Sequence, residues 1–261
     1  MASPGLVYPG YSGSGKGNSA LIANSGNGDI VYHHFSKAVT SDAVYLSFLF
    51  RSDSLPTTLT QGRCISFNPN TGATFHNTSL YIKRLSENTF DLGIRKSEPI
   101  VYNNAVYQIG KTYLVVLKYT FLQGVDNDIS SIYVFENEVP KSEPAQPHAS
   151  SAQGEDHPGQ ASVVLNNNYA QSGLRGCNIR IDGIRVGTSW ETSVLAPIIS
   201  GTSIAGASIF NMENYPNPFS DQTRIRFHLI EEGMVQIDIY NSAGLKVDAL
   251  MQAKLAEGNH D

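Results

Sequence analysis

Short apolar runs alternate with turn-rich polar stretches along the chain, and most of the runs have the two-residue period of strands. Residues 44–51 (VYLSFLFR) are a near-continuous apolar segment suited to burial on both faces, and residues 111–121 (KTYLVVLKYTF) form the strongest strand pattern. Residues 64–68, 80–85, 89–95, 100–102 and 130–135 continue at the even spacing of an all-β sandwich. Residues 178–190 (NIRIDGIRVGTSW) close the series, with the only Trp of the chain at their end. Two stretches break the pattern. Residues 3–29 are rich in Gly, Ser and Asn, with residues 10–17 reading as a flexible loop before short strands at 20–23 and 29–32, and residues 140–162, with Pro140, Pro144, Pro147 and Pro158, read as a long mobile loop.

Residues 191–213 read as a linker or as a first strand of the sandwich that follows. Residues 214–219 (NYPNPF) then fix φ at two prolines and remove two backbone donors, so they form an extended entry to a second set of strands. Beyond them Ile225, Phe227 and Leu229 share one face of a strand, and Arg224, Arg226 and His228 share the other. Residues 235–240 repeat the alternation after a Glu-Glu-Gly turn.

This tail resembles the C-terminal sorting domain of type IX secretion, found in Bacteroidota and related phyla, a small immunoglobulin-like sandwich. The resemblance is carried by Tyr215, Pro216, Asn217, Pro218 and Phe219, by the T-R-I-R-F-H-L and V-Q-I-D-I-Y runs, and by N-S-A-G-L-K-V, which contains Gly244. It implies an extracellular or outer-surface protein with the type IX secretion machinery as a partner. Members of that family continue for two or three more strands, so a chain ending at Asp261 is expected to be incomplete there and to leave an open sheet edge. The start, Met1-Ala2-Ser3-Pro4, shows no leader, and one is expected to have been removed. Residues 1–190 resemble the concanavalin A-like, laminin-G-type jelly roll, through V-Y-L-S-F-L-F, K-T-Y-L-V-V-L-K-Y-T-F and I-D-G-I-R-V-G-T-S-W. Proteins of that fold bind glycans, bind other proteins or hydrolyse polysaccharide.

Composition agrees with an extracellular β protein. Charged residues are 16% of the chain, below the usual quarter, while Tyr (13) and Phe (11) are plentiful. The net charge is −5 and no basic patch interleaves with aromatics, which argues against a nucleic-acid partner. No apolar run approaches the ~20 residues needed to span a membrane.

Candidate chemistry is sparse. Jelly-roll glycosidases place two carboxylates on one strand face, and no such run is present. Glu136 and Glu138 alternate correctly but read as solvated groups at a strand end. The run G-Y-S-G-S-G-K-G at residues 10–17 lacks the hydroxyl residue a phosphate loop needs and lacks the flanking strand and helix. The sequence therefore offers no catalytic residue and predicts a chain that is not an enzyme. Tyr81, Tyr102 and Trp190 are candidates for stacking on sugar rings. Asp126 and Asp128, in a turn beside Gly124, could hold Ca²⁺ through carboxylate oxygens, although turn propensity alone also explains them. Cys64 and Cys177 are either one disulfide closing a long loop or two separate buried thiols.

The expected architecture is all-β: a concanavalin A-like jelly-roll sandwich over residues 1–190, a linker, and a small, incomplete immunoglobulin-like β-sandwich over residues 214–261. The expected function is non-enzymatic binding or adhesion, directed at a glycan or a surface protein. Two alternatives stand beside it: a structural protein that self-associates through open sheet edges, and a polysaccharide hydrolase or lyase.

Overall fold

A computed structural model describes residues 3–23, 30–69, 77–166, 173–195, 209–215, 221–229, 232–240 and 246–261. The chain divides into two compact units, Met1–Ala196 and Pro197–Asp261. Strands are numbered in chain order.

The larger unit is a jelly-roll sandwich of two antiparallel sheets. The first sheet runs from edge to edge through β1 (Ser3–Pro4), β2 (Asn18–Ala23), β14 (Asn178–Gly187), β4 (Ala43–Ser54), β10 (Thr112–Thr120), β11 (Ile129–Phe135) and β12 (Ala149–Ser151). The second runs through β3 (Ile30–Val39), β13 (Gln160–Asn166), β5 (Gly62–Asn68), β6 (Asn77–Arg84), β7 (Thr89–Arg95) and β8 (Val101–Tyr102), with β9 (Tyr107–Gln108) also on β7.

The apolar patterns explain the layering. On β4, Val44, Leu46, Phe48 and Phe50 point between the sheets, where they meet Ile65, Phe67, Leu80, Ile82, Phe90 and Leu92. The opposite face of the first sheet is also covered. Tyr45, Leu49, Leu114, Val116 and Tyr133 pack there against Leu6, Tyr8 and Tyr11 from the start of the chain and against Trp190 and Val194. That is why β4 and β10 are apolar on both sides. Val194 belongs to a short π-helical turn, Glu191–Leu195, which comes after β14.

Two stretches expected to be mobile are tied down. The start of the chain lies on the first sheet, with the Tyr11 hydroxyl donating to Gly183 O at 2.7 Å and the Leu6 amide donating to Asp182 Oδ2 at 2.7 Å. The proline-rich stretch contains β12, and Glu143 anchors it. That carboxylate accepts hydrogen bonds from Tyr45 (2.7 Å), Tyr133 (2.6 Å) and Lys118 (2.8 Å), while Trp190 Nε1 donates to Pro140 O at 3.0 Å. Prolines remove amides that would need partners, and the Trp190 indole satisfies the Pro140 carbonyl.

In the smaller unit β15 (Ile209–Tyr215), β16 (Arg224–Leu229) and β19 (Gly258–His260) form one sheet, and β17 (Gly233–Tyr240) pairs with β18 (Lys246–Leu255). Phe227, Leu229 and Val235 make its core, with Ile225, Ile237 and Met251 against them. The alternation expected at 223–229 is present, and of the stretch read as a linker or a first strand, residues 209–213 belong to strand β15. Tyr215 is exposed, whereas Pro216, Asn217, Pro218, Phe219 and Gly244 lie outside the described residues.

Candidate functional site

The outward face of the second sheet is the unusual surface of the larger unit. Residues directly opposite one another in an antiparallel ladder share a face. The register therefore aligns Arg63, Tyr81, Gly93 and Tyr102 in one row across β5, β6, β7 and β8. A second row holds Val164, Ser66, Ser79 and Arg95, and Lys83 stands opposite Asp91 beside the first. An uncovered sheet face would be exposed, yet Arg63, Ser66, Asn68, Ser79, Tyr81, Asp91, Ser162 and Asn166 are all buried.

Local geometry assembles this face in two places. A β-bulge in β5 interrupts the pairing between Arg63 and Ile65. Arg63 therefore faces outward opposite Tyr81 although Ile65, two residues on, faces the core. Gly93 provides room for an aromatic ring. A Cβ there would stand 2.8 Å from Tyr102 Cδ1 and 3.0 Å from both Ile100 Cγ2 and Val101 O, so the Tyr102 ring lies against bare backbone.

Three cations and few anions occupy this face. Lys83 pairs with the buried Asp91 at 3.4 Å and sits 3.9 Å from the centroid of the Tyr102 ring. Asp91 also accepts the amides of Asn104 (3.2 Å) and Ala105 (3.4 Å), which ties it to the turn after β8. Arg95 pairs with the exposed Glu98 at 2.7 Å, and its guanidinium lies 5.0 Å from the centre of the Tyr81 ring. Arg63 is different. It is only 8% exposed and hydrogen-bonds to the Tyr81 hydroxyl, but among the described residues it has no carboxylate partner and its Nε has no acceptor. Burial works against its charge and Arg95 repels it, with Tyr81 opposing both. A buried, unpaired guanidinium is costly unless an anion completes it.

The tyrosines are tuned by the same surroundings. Burial pushes Tyr81 up, and Arg95 and Arg63 pull it back in part. Burial and then Asp91 push Tyr102 up to about 12, and its buried hydroxyl has no partner among the described residues. Both are proton-bearing donors at neutral pH. The site opens toward β6–β8, where Lys83, Arg95 and Tyr102 are partly exposed.

Of the three residues expected to stack on sugars, Tyr81 and Tyr102 are together here. Trp190 is not. It is buried on the outer face of the first sheet among Tyr45, Tyr133 and Phe135. Asp126 and Asp128 do not form a cation cage. The Asp128 carboxylate is spent on Tyr119 and the Leu122 amide, both at 2.7 Å, and the fully buried Lys96 ammonium donates to Asp128 O at 3.0 Å and to Asp156. Asp126 Oδ1 accepts the Asp156 amide at 3.3 Å. An ammonium brings its own positive charge to this turn, and no group of three or more metal-binding side chains occurs among the described residues. Cys64 and Cys177 are both buried as free thiols in the core between the sheets rather than joined as a disulfide, and burial pushes Cys177 up to about 12.

Sequence reasoning missed Arg63 and Arg95. The available signals were an arginine at the head of an otherwise apolar strand and a glycine inside the alternating strand at residues 89–95.

No family model matches the chain, and no curated protein matches it. Several solved structures are similar in fold at low identity. An endo-β-1,4-glucuronan lyase from the fungus Trichoderma reesei is 15% identical with a TM-score of 0.45, over 76% of this chain and 90% of that one. The binding domain of botulinum neurotoxin DC is 12% identical with a TM-score of 0.43, over 72% and 41%. An alginate lyase from Pseudomonas aeruginosa is 9% identical with a TM-score of 0.35, over 65% and 81%. Several of these structures are polysaccharide lyases, and the expectation of a chain that is not an enzyme finds no support among them.

Proposed function

We propose that the chain is a polysaccharide lyase acting on uronate-containing chains at the outward face of the second sheet. Arg63 carries this reading, as a buried guanidinium without a carboxylate partner among the described residues, opposite Tyr81, whose ring Arg95 approaches from the other side. A uronate carboxylate would complete it through paired charge-assisted hydrogen bonds. Neutralising that carboxylate acidifies the adjacent C5 proton of the sugar. Tyr81 is placed to handle the proton: its hydroxyl gives its proton to the leaving glycosidic oxygen while its oxygen receives the one from C5. The tyrosine is restored, the chain is cut, and a C4–C5 double bond remains. Tyr102 offers a hydroxyl to the sugar beside it, and Lys83 adds positive charge.

Export to the cell surface or medium by type IX secretion is part of the proposal, supported by the NYPNPF run and the alternating strands after it.

The test is to incubate the full chain with polyglucuronate, polymannuronate, polyguluronate and polygalacturonate and to monitor the ultraviolet absorbance of the new double bond. Absorbance growing with one or more polymers, and lost in Tyr81→Phe, is the expected result. No absorbance and no calorimetric binding with any of the four would end this reading.

A further inference from the structure

Among the described residues, the sandwich opens into a groove at one end. Between β3 and β13 of the second sheet and the last residues of β14 in the first lies a groove of about 720 Å³. Its wall is made of inward-pointing apolar side chains. Val163 and Leu165 line it from β13, Phe35 from β3, and Ile184 and Val186 from β14. Elsewhere such residues are sealed in the core. Here Val31 is 61% exposed, Ile184 40% and Val186 37%. Apolar surface of this kind, inside a sandwich and open to solvent, is a binding surface rather than ordinary exposure.

Lys37 lines the groove together with His33 and His34, and no Asp or Glu among the described residues does. Neither His33 nor His34 can serve a shared metal ion, because they are adjacent on β3 and point to opposite faces. The groove thus pairs an apolar trough with one lysine at its rim.

We infer that this groove binds an amphiphile with an unbranched acyl chain and an anionic head, the chain lying between the sheets and the head at Lys37. The volume falls within the roughly 300–1,000 Å³ typical of small-molecule sites. The valine, leucine, isoleucine and phenylalanine side chains of the trough receive the tail, and Lys37 discriminates a carboxylate from a neutral head. The site is separate from the Arg63–Tyr81 row and stands whether or not that row cleaves uronates.

The test uses the full chain with palmitate as ligand and a fluorescent fatty acid as reporter. Wild type is expected to bind the reporter saturably at one site and to release it to palmitate. Val186→Asp, which puts a charge in the trough, should weaken palmitate about tenfold or more. Lys37→Glu should weaken palmitate severalfold and leave hexadecanol unchanged, a split that general loss of structure does not produce. Circular dichroism and melting curves confirm that both variants fold. Absence of saturable binding, or equal binding by both variants, overturns the inference. So does a concentration-dependent dimer abolished by Val186→Asp, which would make the occupant a second copy of this chain.

Discussion

Lys96, just after the end of β7, is joined to Asp156, sixty residues away, with its ammonium fully buried. The same ammonium donates to the carbonyls of Asp128 (3.0 Å) and Ala152 (3.5 Å), and Asp156 accepts the amides of Asn127 (3.0 Å) and Asp128 (2.8 Å). One lysine thereby organises the turn at 126–128 and the segment before β13. Breaking a buried pair by removing one partner strands the other, at a cost of roughly 3 kcal/mol. Lys96→Met should therefore lower the urea midpoint of the larger unit by a matching amount. A midpoint equal to that of the wild type would show that the pair contributes little.

Acid should destabilise the larger unit in two stages. Burial holds His157 and His148 below their ordinary value, with Lys96 adding to the effect at His157. Both bind protons more readily when unfolded, so their contribution is complete above about pH 6.5 and falls as pH drops through the folded values. At lower pH the carboxylates come into play. Burial alone would raise Asp156, but Lys96 and two backbone amides hold it below the usual range; Glu143 is likewise held down by Lys118, Tyr133 and Tyr45 against burial. Their contribution is present above about pH 4 and disappears as pH falls through the folded values. Melting curves from pH 8 to pH 3 should show both limbs, and Asp156→Asn with Glu143→Gln should flatten the lower one alone.

Arg63 should trade stability for binding. Replacing a buried unpaired charge by an apolar group of similar volume is neutral or stabilising. Arg63→Met is therefore expected to melt no lower than wild type while losing roughly 10²-fold or more of its activity on a uronate polymer. A variant that melts lower yet cleaves normally would assign Arg63 to the scaffold.

Gly93→Ala tests the row from its other end. The added methyl meets the Tyr102 ring and the Val101 carbonyl at 3.0 Å or less, which should cost about 1–3 kcal/mol and displace Tyr102. Calorimetry should show weaker polymer binding than in Tyr102→Phe, which keeps the ring in place.

The two thiols should be unreactive in the native protein. Cys64 and Cys177 are both fully buried, and burial raises both. A thiol reagent at pH 8 is expected to label neither until urea is added, and then both. Native labelling, or no labelling after unfolding, would contradict free buried cysteines.

Much of the fold was legible because the signal was local. The apolar runs at 44–51 and 111–121 became β4 and β10 in the middle of the first sheet, paired from Ala43–Thr120 to Arg51–Thr112. What escaped depends on distance. Glu143 lies in a stretch that carries no strand pattern of its own, and its anchors come from Tyr45, Lys118 and Tyr133. Lys96 draws its partners from residues 128, 152 and 156. Arg63 and Tyr81 became neighbours only through cross-strand register. A tryptophan as strand-end punctuation looks the same whether it faces sugar or core, and Trp190 faces core.

The bulge in β5 has a consequence for how such a chain can change. Cys64 is the extra residue of the ladder: Arg63 pairs with Tyr81 and Ile65 with Leu80, although Tyr81 and Leu80 are consecutive. Deleting Cys64 would make Arg63 and Ile65 consecutive too, with each still facing its present side. Loss of a residue elsewhere in the paired stretch would invert every side chain beyond it. Position 64 is thus a place where the strand can lose a residue in phase, and a deletion there would pass through the sheet without scrambling its two faces.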